Sequence, residues 1–265
     1  MASAQLCVQQ VLADTLECPR LLLTEIADRD LTQAERDAVT KSVARLVAGE
    51  PLQYVLGNVN FYGYHLVVNR DVLIPRPETE ELVSRALALP IWQGGSSVDV
   101  VDVGTGSGCV AIAIAAMRAE AHVLALDASR EALALARGNI DAHELADRVR
   151  LGHGNLLADL NAATMDLVIS NPPYVTESEY LDLDPGVRDF EPRDALVAGG
   201  DGLAIYRRLL PEARCVLRSG GWILLEIGAN QRLAVESLLK KSGFIDIVGF
   251  PDVNGLDRMV QARCP

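Results

Sequence analysis

The sequence predicts an α/β fold, a mostly parallel sheet with helices on both faces, preceded by a small helical region and a β-hairpin. Three observations carry this reading. From residue 98 onward, short apolar runs alternate with amphipathic stretches in a repeated β-α-β rhythm. Asp102-Val103-Gly104-Thr105-Gly106-Ser107-Gly108 follows one such run and opens a helix, which is the setting of a nucleotide-binding turn. Asn171-Pro172-Pro173-Tyr174 follows another, Asp166-Leu167-Val168-Ile169-Ser170, so a rigid polar turn sits at the carboxyl end of a strand, where open α/β sheets place their chemistry. With 265 residues there is room for one large domain, or one of roughly 190 residues plus a small one. Hydrophobic residues make up 49% and aromatics only 5%, so the core is built from Leu, Val, Ile and Ala.

Residues 1–57 read as helical. Leu6, Val8, Val11, Leu12 and Leu16 form one apolar stripe ending before Pro19, and Leu21, Leu22, Leu23 and Ile26 begin another. Thr32-Gln33-Ala34-Glu35 predicts a capping box ahead of Val39, Val43, Leu46 and Val47, and Gly49 stops that helix. Short helices bury little alone, so these should form a small bundle. Residues 59–68, with Phe61, Tyr62, Tyr64, Leu66 and Val68 around Gly63, predict a hairpin. The acids after Pro77 open a helix to about Leu89, and residues 94–97 read as a flexible entry into the first strand of the sheet. The pattern then predicts strands over 98–103, 122–126, 148–151, 166–170 and 222–227. Helices fall over 108–117, 129–142 (Ser129 as N-cap), 203–217 and 231–241, the last ended by Gly243. Residues 245–249 and 258–262 close as strands that pair antiparallel, since no helix separates them. Residues 172–200 read as a long loop bearing Glu177, Glu179, Asp182, Asp184 and Asp189, a length typical of functional lids.

The formal net charge is −12, which disfavours sequence-independent nucleic-acid binding because that needs cationic contacts to phosphates. The five cysteines (Cys7, Cys18, Cys109, Cys215, Cys264) form no CxxC pair and are odd in number, so reduced thiols are expected rather than disulfides or a zinc site. The scattered histidines lack the spacing of a metal site; His122 and His153, beside predicted strands, read as structural. No signal peptide and no membrane-length apolar run is visible, so a soluble, cytoplasmic protein is expected.

Glycines at alternating positions let a ligand approach the 104–108 backbone. Their spacing is G-x-G-x-G, unlike the dinucleotide fingerprint, and Asp102 just before them repels a pyrophosphate. A cationic ligand without phosphate fits better, which favours S-adenosylmethionine. Asp127, ending the next strand, is placed to accept both ribose hydroxyls. Asn155 and Leu156, after the third strand, are candidates for the adenine edge and ring, and equally for ordinary loop residues. In 171–174, two prolines remove backbone donors and leave carbonyls free, Asn171 offers a side-chain oxygen and Tyr174 a flat face. Together they suit a planar NH2 group whose hydrogens are accepted while a ring covers its face.

With these motifs in place the chain resembles the release-factor glutamine methyltransferases, over nearly its whole length. The resemblance rests on Pro51-Leu52-Gln53-Tyr54-Val55-Leu56-Gly57, Phe61-Tyr62-Gly63, Leu73-Ile74-Pro75-Arg76-Pro77-Glu78-Thr79-Glu80, the stretch Asp102 to Gly108, Asn171 to Tyr174, Glu191-Pro192, Gly199-Gly200-Asp201-Gly202-Leu203 and Leu225-Glu226-Ile227-Gly228. The Asn-Pro-Pro-Tyr turn alone is shared with DNA adenine-N6 methyltransferases; the Ile-Pro-Arg-Pro-Glu-Thr-Glu stretch is the more specific. The resemblance implies a class I S-adenosylmethionine-dependent methyltransferase, Rossmann-like, with a seven-stranded mostly parallel sheet. It implies a helical substrate-recognition domain over 1–57, a hairpin linker over 58–78 and a catalytic domain over 79–265. The cofactor site then comprises Gly104, Thr105, Gly106, Ser107, Gly108, Asp127, Asn155, Leu156 and Asn171. Asn171, Pro172, Pro173 and Tyr174 hold the glutamine, with Asn171, Pro172 and Tyr174 as the catalytic set and no metal. The implied substrate is the Gly-Gly-Gln loop of class 1 peptide chain release factors, methylated at glutamine N5 with release of S-adenosylhomocysteine. A monomer with no nucleic-acid or membrane partner is expected. One departure stands out: family members often carry Asp and then a bulky residue where this chain has Asn155-Leu156. The rival readings are a nucleic-acid adenine methyltransferase, a non-catalytic binding module and a nicotinamide-dependent oxidoreductase.

Overall fold

The computed structural model describes residues 4–265; residues 1–3 of the expected helical region lie outside the described residues. Helix α1 (Ala4–Thr15) packs on α2 (Gln33–Val47), with a 3₁₀ turn over Arg20–Thr24 between them. Thr32 starts α2 as the spacing predicts: its hydroxyl accepts from Glu35 N, and the Glu35 carboxylate accepts from Thr32 N. Gly49, at φ +89°, follows its end. A further short helix, α3 (Leu52–Leu56), begins after Pro51 and ends at Gly57 in the left-handed region. At five residues it is too short to show a period, and so escapes a reading based on periodicity. Buried Glu50 joins this bundle to the linker, accepting from Arg45 Nε at 2.7 Å and Arg70 Nε at 3.2 Å. The Arg45 hydrogen bond, helped by Arg70, holds its carboxyl down at about 2.

The hairpin is β1 (Asn58–Phe61) and β2 (Tyr64–Val67), closed by Tyr62-Gly63. Both turn residues have positive φ, the arrangement that matches the twist of the flanking strands. Phe61 and Leu66 point into the core beneath α4 (Pro77–Leu87). Just ahead of the 94–97 entry, a 3₁₀ turn over Pro90–Gly94 buries Trp92, whose Nε1 donates to Ala86 O.

The remaining elements follow the predicted alternation: β3 (Val98–Val103), α5 (Cys109–Met117), β4 (Ala121–Asp127), α6 (Arg130–Ala142), β5 (Val149–His153) and β6 (Met165–Ser170). The 172–200 segment differs from the long loop expected. It holds α7 (Glu177–Leu181), α8 (Pro185–Arg188) and a 3₁₀ turn over Arg193–Ala195, and Val175 bridges Val197. Four of its acids are used locally. Glu179 completes a capping box with Thr176, Asp184 caps α8 by accepting from Gly186 N, and Glu177 and Asp189 pair with Arg193 and Arg188. Acids that cap helices only four or five residues long read as a solvated loop in sequence, because no apolar period accompanies them.

Beyond that segment come α9 (Ala204–Val216), β7 (Leu217–Glu226), α10 (Arg232–Lys241), β8 (Ile245–Pro251) and β9 (Asp257–Arg263). The strand order is β5-β4-β3-β6-β7-β9-β8 in one seven-stranded sheet. All pairings are parallel except those of β9 with β7 and β8. Alternate residues feed two cores. Val100, Leu167, Ile169 and Leu224 face α4 and α5 with Leu82, Ile112 and Ile114; Val101, Val103, Val168, Ile223 and Leu225 face α9 and α10 with Tyr206, Leu209 and Leu239. A sheet covered on both faces explains the nearly continuous apolar strands. His122 and His153 serve local structure, His122 Nδ1 against Ser97 Oγ at 2.7 Å and His153 Nε2 against Ala128 O at 3.1 Å. No helix among the described residues is long and apolar enough to cross a membrane.

Candidate active site

The chain passes from β5 at one edge of the sheet to β6 on the far side of β3, and the crevice at that switch point lies at the carboxyl ends of the strands. Four turns meet there: 104–108 after β3, Asp127 at the end of β4, 154–156 after β5, and 171–174 after β6. They line a cavity of about 520 Å³, within the range of small-molecule sites.

Gly104, Thr105, Gly106 and Ser107 line it. Gly104 and Gly106 have positive φ, and a Cβ on either meets nothing within 4 Å, so the absent side chains leave open space for a ligand against the backbone. Gly108 is different. It caps α5 in the left-handed region, and a Cβ there lies 3.4 Å from Ala136 Cβ, so this glycine lets α5 and α6 approach one another rather than facing the cavity. Asn139 of α6 fixes the loop from behind, donating to Ser107 O at 2.9 Å and exchanging two bonds with Val67 of the hairpin.

The charges around the cavity are mainly negative. Asp71, Asp102, Asp127, Glu131 and Asp194 line it, against a single cation among the described residues, Arg76, which is already paired with buried Glu191. Asp102 accepts from Thr105 Oγ1 at 2.6 Å, and burial pushes its carboxyl up to about 7. Asp127 accepts from Gly106 N at 2.8 Å with one oxygen and from Ser129 N at 2.9 Å with the other, leaving a lone pair on each. Ser107 Oγ is buried with only the weak Cys109 thiol beside it. Spare acceptors, an uncompensated hydroxyl and an acidic wall suit a ligand that is cationic and rich in donors, and repel a polyphosphate.

Asn155 is exposed and its Oδ1 accepts from Arg208 at 3.0 Å, whereas Leu156, at φ +67°, packs against the core on the α9 face while lining the cavity. Asn171, Pro172 and Pro173 line the cavity. Tyr174 does not: its ring packs into the α9 core beside Gly228, and burial holds its phenol up at about 12. Its carbonyl accepts from Gln231 Nε2 at 2.9 Å. Among the described residues nothing donates to Pro172 O.

Two residues that sequence reasoning left without a role complete the site. Asn171 Nδ2 donates to Thr79 Oγ1 at 3.1 Å, and Thr79 Oγ1 donates to Glu226 Oε2 at 2.7 Å. Thr79 sits in the first turn of α4 and Glu226 at the end of β7, both buried. The signal in the sequence was an acid ending the run Trp222-Ile223-Leu224-Leu225, which a buried strand does not tolerate without a partner. Arg76 and Ile74 N both bind Glu191, so the linker is tied across the cavity mouth to the segment after Tyr174.

The geometry agrees with what the chain is similar to. The family described as "Methyltransferase small domain" matches residues 83–183, and the one described as "PrmC N-terminal domain" matches residues 1–57. A release factor glutamine methyltransferase of Geobacter sulfurreducens is 39% identical over 261 residues, covering 98% of this chain and 90% of that protein. One of Cereibacter sphaeroides is 43% identical over 227 residues, covering 84% and 78%. Among solved structures, a ribosomal protein L11 methylase from Lactobacillus delbrueckii subsp. bulgaricus superposes with a TM-score of 0.53 at 22% identity, over 73% of this chain and 81% of that one, a likeness of fold.

Proposed function

The chain belongs to the release factor glutamine methyltransferase family, and from that premise we propose that it transfers a methyl group from S-adenosylmethionine to N5 of the glutamine in the Gly-Gly-Gln loop of class 1 peptide chain release factors. The observation that supports this most is the cavity itself. A glycine turn open to a ligand and the Asn171-Pro172 turn face one space, and Asn171 has its amide nitrogen already engaged. Residues 1–57 act in substrate recognition, 58–78 as the hairpin linker and 79–265 as the catalytic domain. The enzyme works as a monomer, in the cytoplasm where its substrate is found.

Gly104, Thr105, Gly106 and Ser107 would hold the cofactor by their backbone, Asp127 by its spare lone pairs and Leu156 by its apolar side chain, with Asn155 at the rim. Gly108 shapes the turn from below. When bound, S-adenosylmethionine supplies an electrophilic methyl group on a sulfonium and leaves as S-adenosylhomocysteine. An amide nitrogen is a poor nucleophile because its lone pair is delocalised into the carbonyl. Among the described residues no free strong base is bonded to Asn171, so positioning carries the rate. Asn171 Oδ1 and Pro172 O accept the two hydrogens of the substrate amide and aim its nitrogen into the cavity. Near-attack alignment of this kind contributes roughly 7–11 kcal/mol. The same two acceptors stabilise the positive charge that develops on nitrogen, and after transfer one N–H proton is lost to water, leaving the neutral N-methyl amide. Tyr174 supports the turn from the core side, its ring packed under α9 and its carbonyl held by Gln231, rather than covering the amide.

Asp127→Ala removes the bonds to Gly106 N and Ser129 N together with the ribose acceptor. Calorimetric titration of cofactor should show affinity falling about tenfold or more, the effect of losing charge-assisted hydrogen bonds of roughly 1.5–3 kcal/mol. An unchanged affinity would remove Asp127 from the cofactor site. The direct test of the activity is transfer of labelled methyl to a purified class 1 release factor, intact and with the Gly-Gly-Gln glutamine replaced by alanine. Label on the intact factor alone is expected. Label on neither, with cofactor binding intact, would overturn the reading and move the search to other NH2 substrates, nucleic-acid adenine first.

A further inference from the structure

Asn171 can serve the reaction only if its amide presents oxygen, not NH2, to the reacting nitrogen. The two ends of an Asn amide are nearly the same in shape, so hydrogen bonding must choose between them. Here the choice runs through a chain of three groups. Thr79 has one hydroxyl proton and gives it to Glu226 Oε2 at 2.7 Å. With that proton spent, Thr79 Oγ1 can only accept, and the group it accepts from is Asn171 Nδ2 at 3.1 Å. Among the described residues no donor is bonded to Asn171 Oδ1, and Asn171 lines the cavity. We infer that Glu226, acting through Thr79, sets which end of the Asn171 amide faces the reacting nitrogen, which makes Thr79 and Glu226 positioning residues for methyl transfer.

The polarity of the chain depends on Glu226 being an acceptor. A protonated Glu226 can donate to Thr79 Oγ1, Thr79 then donates onward, and Asn171 is satisfied with its oxygen inward and its NH2 toward the substrate. Two NH2 groups then oppose one another and alignment is lost. The groups that face Glu226 from the surrounding elements are Arg258 of β9, Glu78 and Arg76 at the start of α4, Cys109 of α5, Tyr174, and Tyr206 of α9, whose hydroxyl donates to Glu226 O at 2.8 Å. Burial raises the Glu226 carboxyl to about 7, the Thr79 bond, Arg258 and Arg76 opposing that rise and Glu78 adding to it. The active, ionised form is therefore lost as pH falls through about 7.

The inference rests on the proposed reaction, and its test separates the two. Methyl transfer from labelled S-adenosylmethionine to purified class 1 release factor is measured as kcat and KM from about pH 5.5 to about pH 9, on either side of the Glu226 titration, for the wild type, Thr79→Val, Thr79→Ser and Glu226→Gln, with cofactor affinity and thermal unfolding measured on each. Thr79→Val is close to isosteric and lacks the hydroxyl. Its kcat should fall about tenfold or more, with KM for the release factor and cofactor affinity within about twofold of wild type. Thr79→Ser should recover most of that loss. Wild-type kcat should decline on the acid side of neutrality, and that decline should be absent in Glu226→Gln, whose amide oxygen can still accept from Thr79 but does not titrate. A Thr79→Val enzyme with wild-type kcat, a Thr79→Ser enzyme as impaired as Thr79→Val, or a Thr79→Val enzyme with an unaltered acid limb would overturn the relay. A wild type that labels no release factor overturns the reaction itself. If Glu226→Gln does not fold, the two Thr79 variants decide.

Discussion

Asn171→Ala is expected to lower kcat by about 10²–10³-fold, the scale seen when one preorganised partner of developing charge is removed, with cofactor affinity falling only modestly. The asymmetry follows from where Asn171 sits. The proposed cofactor side of the cavity is built from 104–107 after β3, Asp127 after β4 and Leu156 after β5, none of which bonds to Asn171. Loss of the side chain removes the proposed acceptor for the substrate NH2 and leaves Thr79 Oγ1 without its donor, but leaves the glycine turn and its support from Asn139 intact. Single-turnover transfer and a cofactor titration on the same preparation separate the two effects. An Asn171→Ala enzyme with near wild-type turnover would remove Asn171 from the reaction, and a parallel collapse of cofactor binding would assign it to the other half of the cavity.

The parts of the molecule that were legible in sequence share one property: their signal is local. The apolar runs of β3, β4 and β6, the Thr32 and Ser129 caps, and the Gly63 turn each declare themselves within a few residues, and each is found where the pattern puts it. The glycine turn and the Asn171 turn were legible for the same reason, since a strand end followed by special backbone chemistry is a short string. What escaped was either too short to show a period, as with α3, α7, α8 and the 3₁₀ turns, or held together across distance. Thr79 and Glu226 lie 147 positions apart, and Arg76 and Glu191 lie 115 apart. No spacing rule links such pairs; only the fold brings the first turn of α4 against the end of β7. Both segments carry the family resemblance, yet a motif does not say which atoms meet. Gly108 shows the converse. It belongs to the glycine string by sequence, but its missing side chain serves helix packing rather than the cavity.

Gly199-Gly200-Asp201-Gly202-Leu203 is a second glycine string in which neighbours differ in purpose, and it yields a sharp contrast. At Gly202, φ is +69°, and a Cβ would lie 2.3 Å from Tyr174 O and 2.5 Å from Gln231 Nε2. The first of these is backbone and cannot swing aside as a side chain can. It is also anchored, because Gln231 Nε2 donates to Tyr174 O at 2.9 Å while Gln231 Oε1 accepts from Gly228 N at 3.0 Å. Gly202→Ala must therefore break that clamp and push the Tyr174 peptide, which belongs to the same rigid turn as Asn171. The left-handed conformation costs an Ala about 1–2 kcal/mol, and the overlap adds roughly 1–3 kcal/mol of packing strain. A displacement near 1 Å in a positioning site can lower turnover about 100-fold, so a loss of that order in kcat is expected together with a lower unfolding temperature, while cofactor affinity stays close to wild type. Gly200 is the control. A Cβ there meets nothing within 4 Å, its φ is not in the left-handed region, and Gly200→Ala should change stability by no more than about 0.5 kcal/mol. Equal behaviour of the two variants would mean that the close approach of Gly202 to Tyr174 does not hold the turn; a large loss at Gly202 alone would make the peptide after Tyr174 part of what positions the amide.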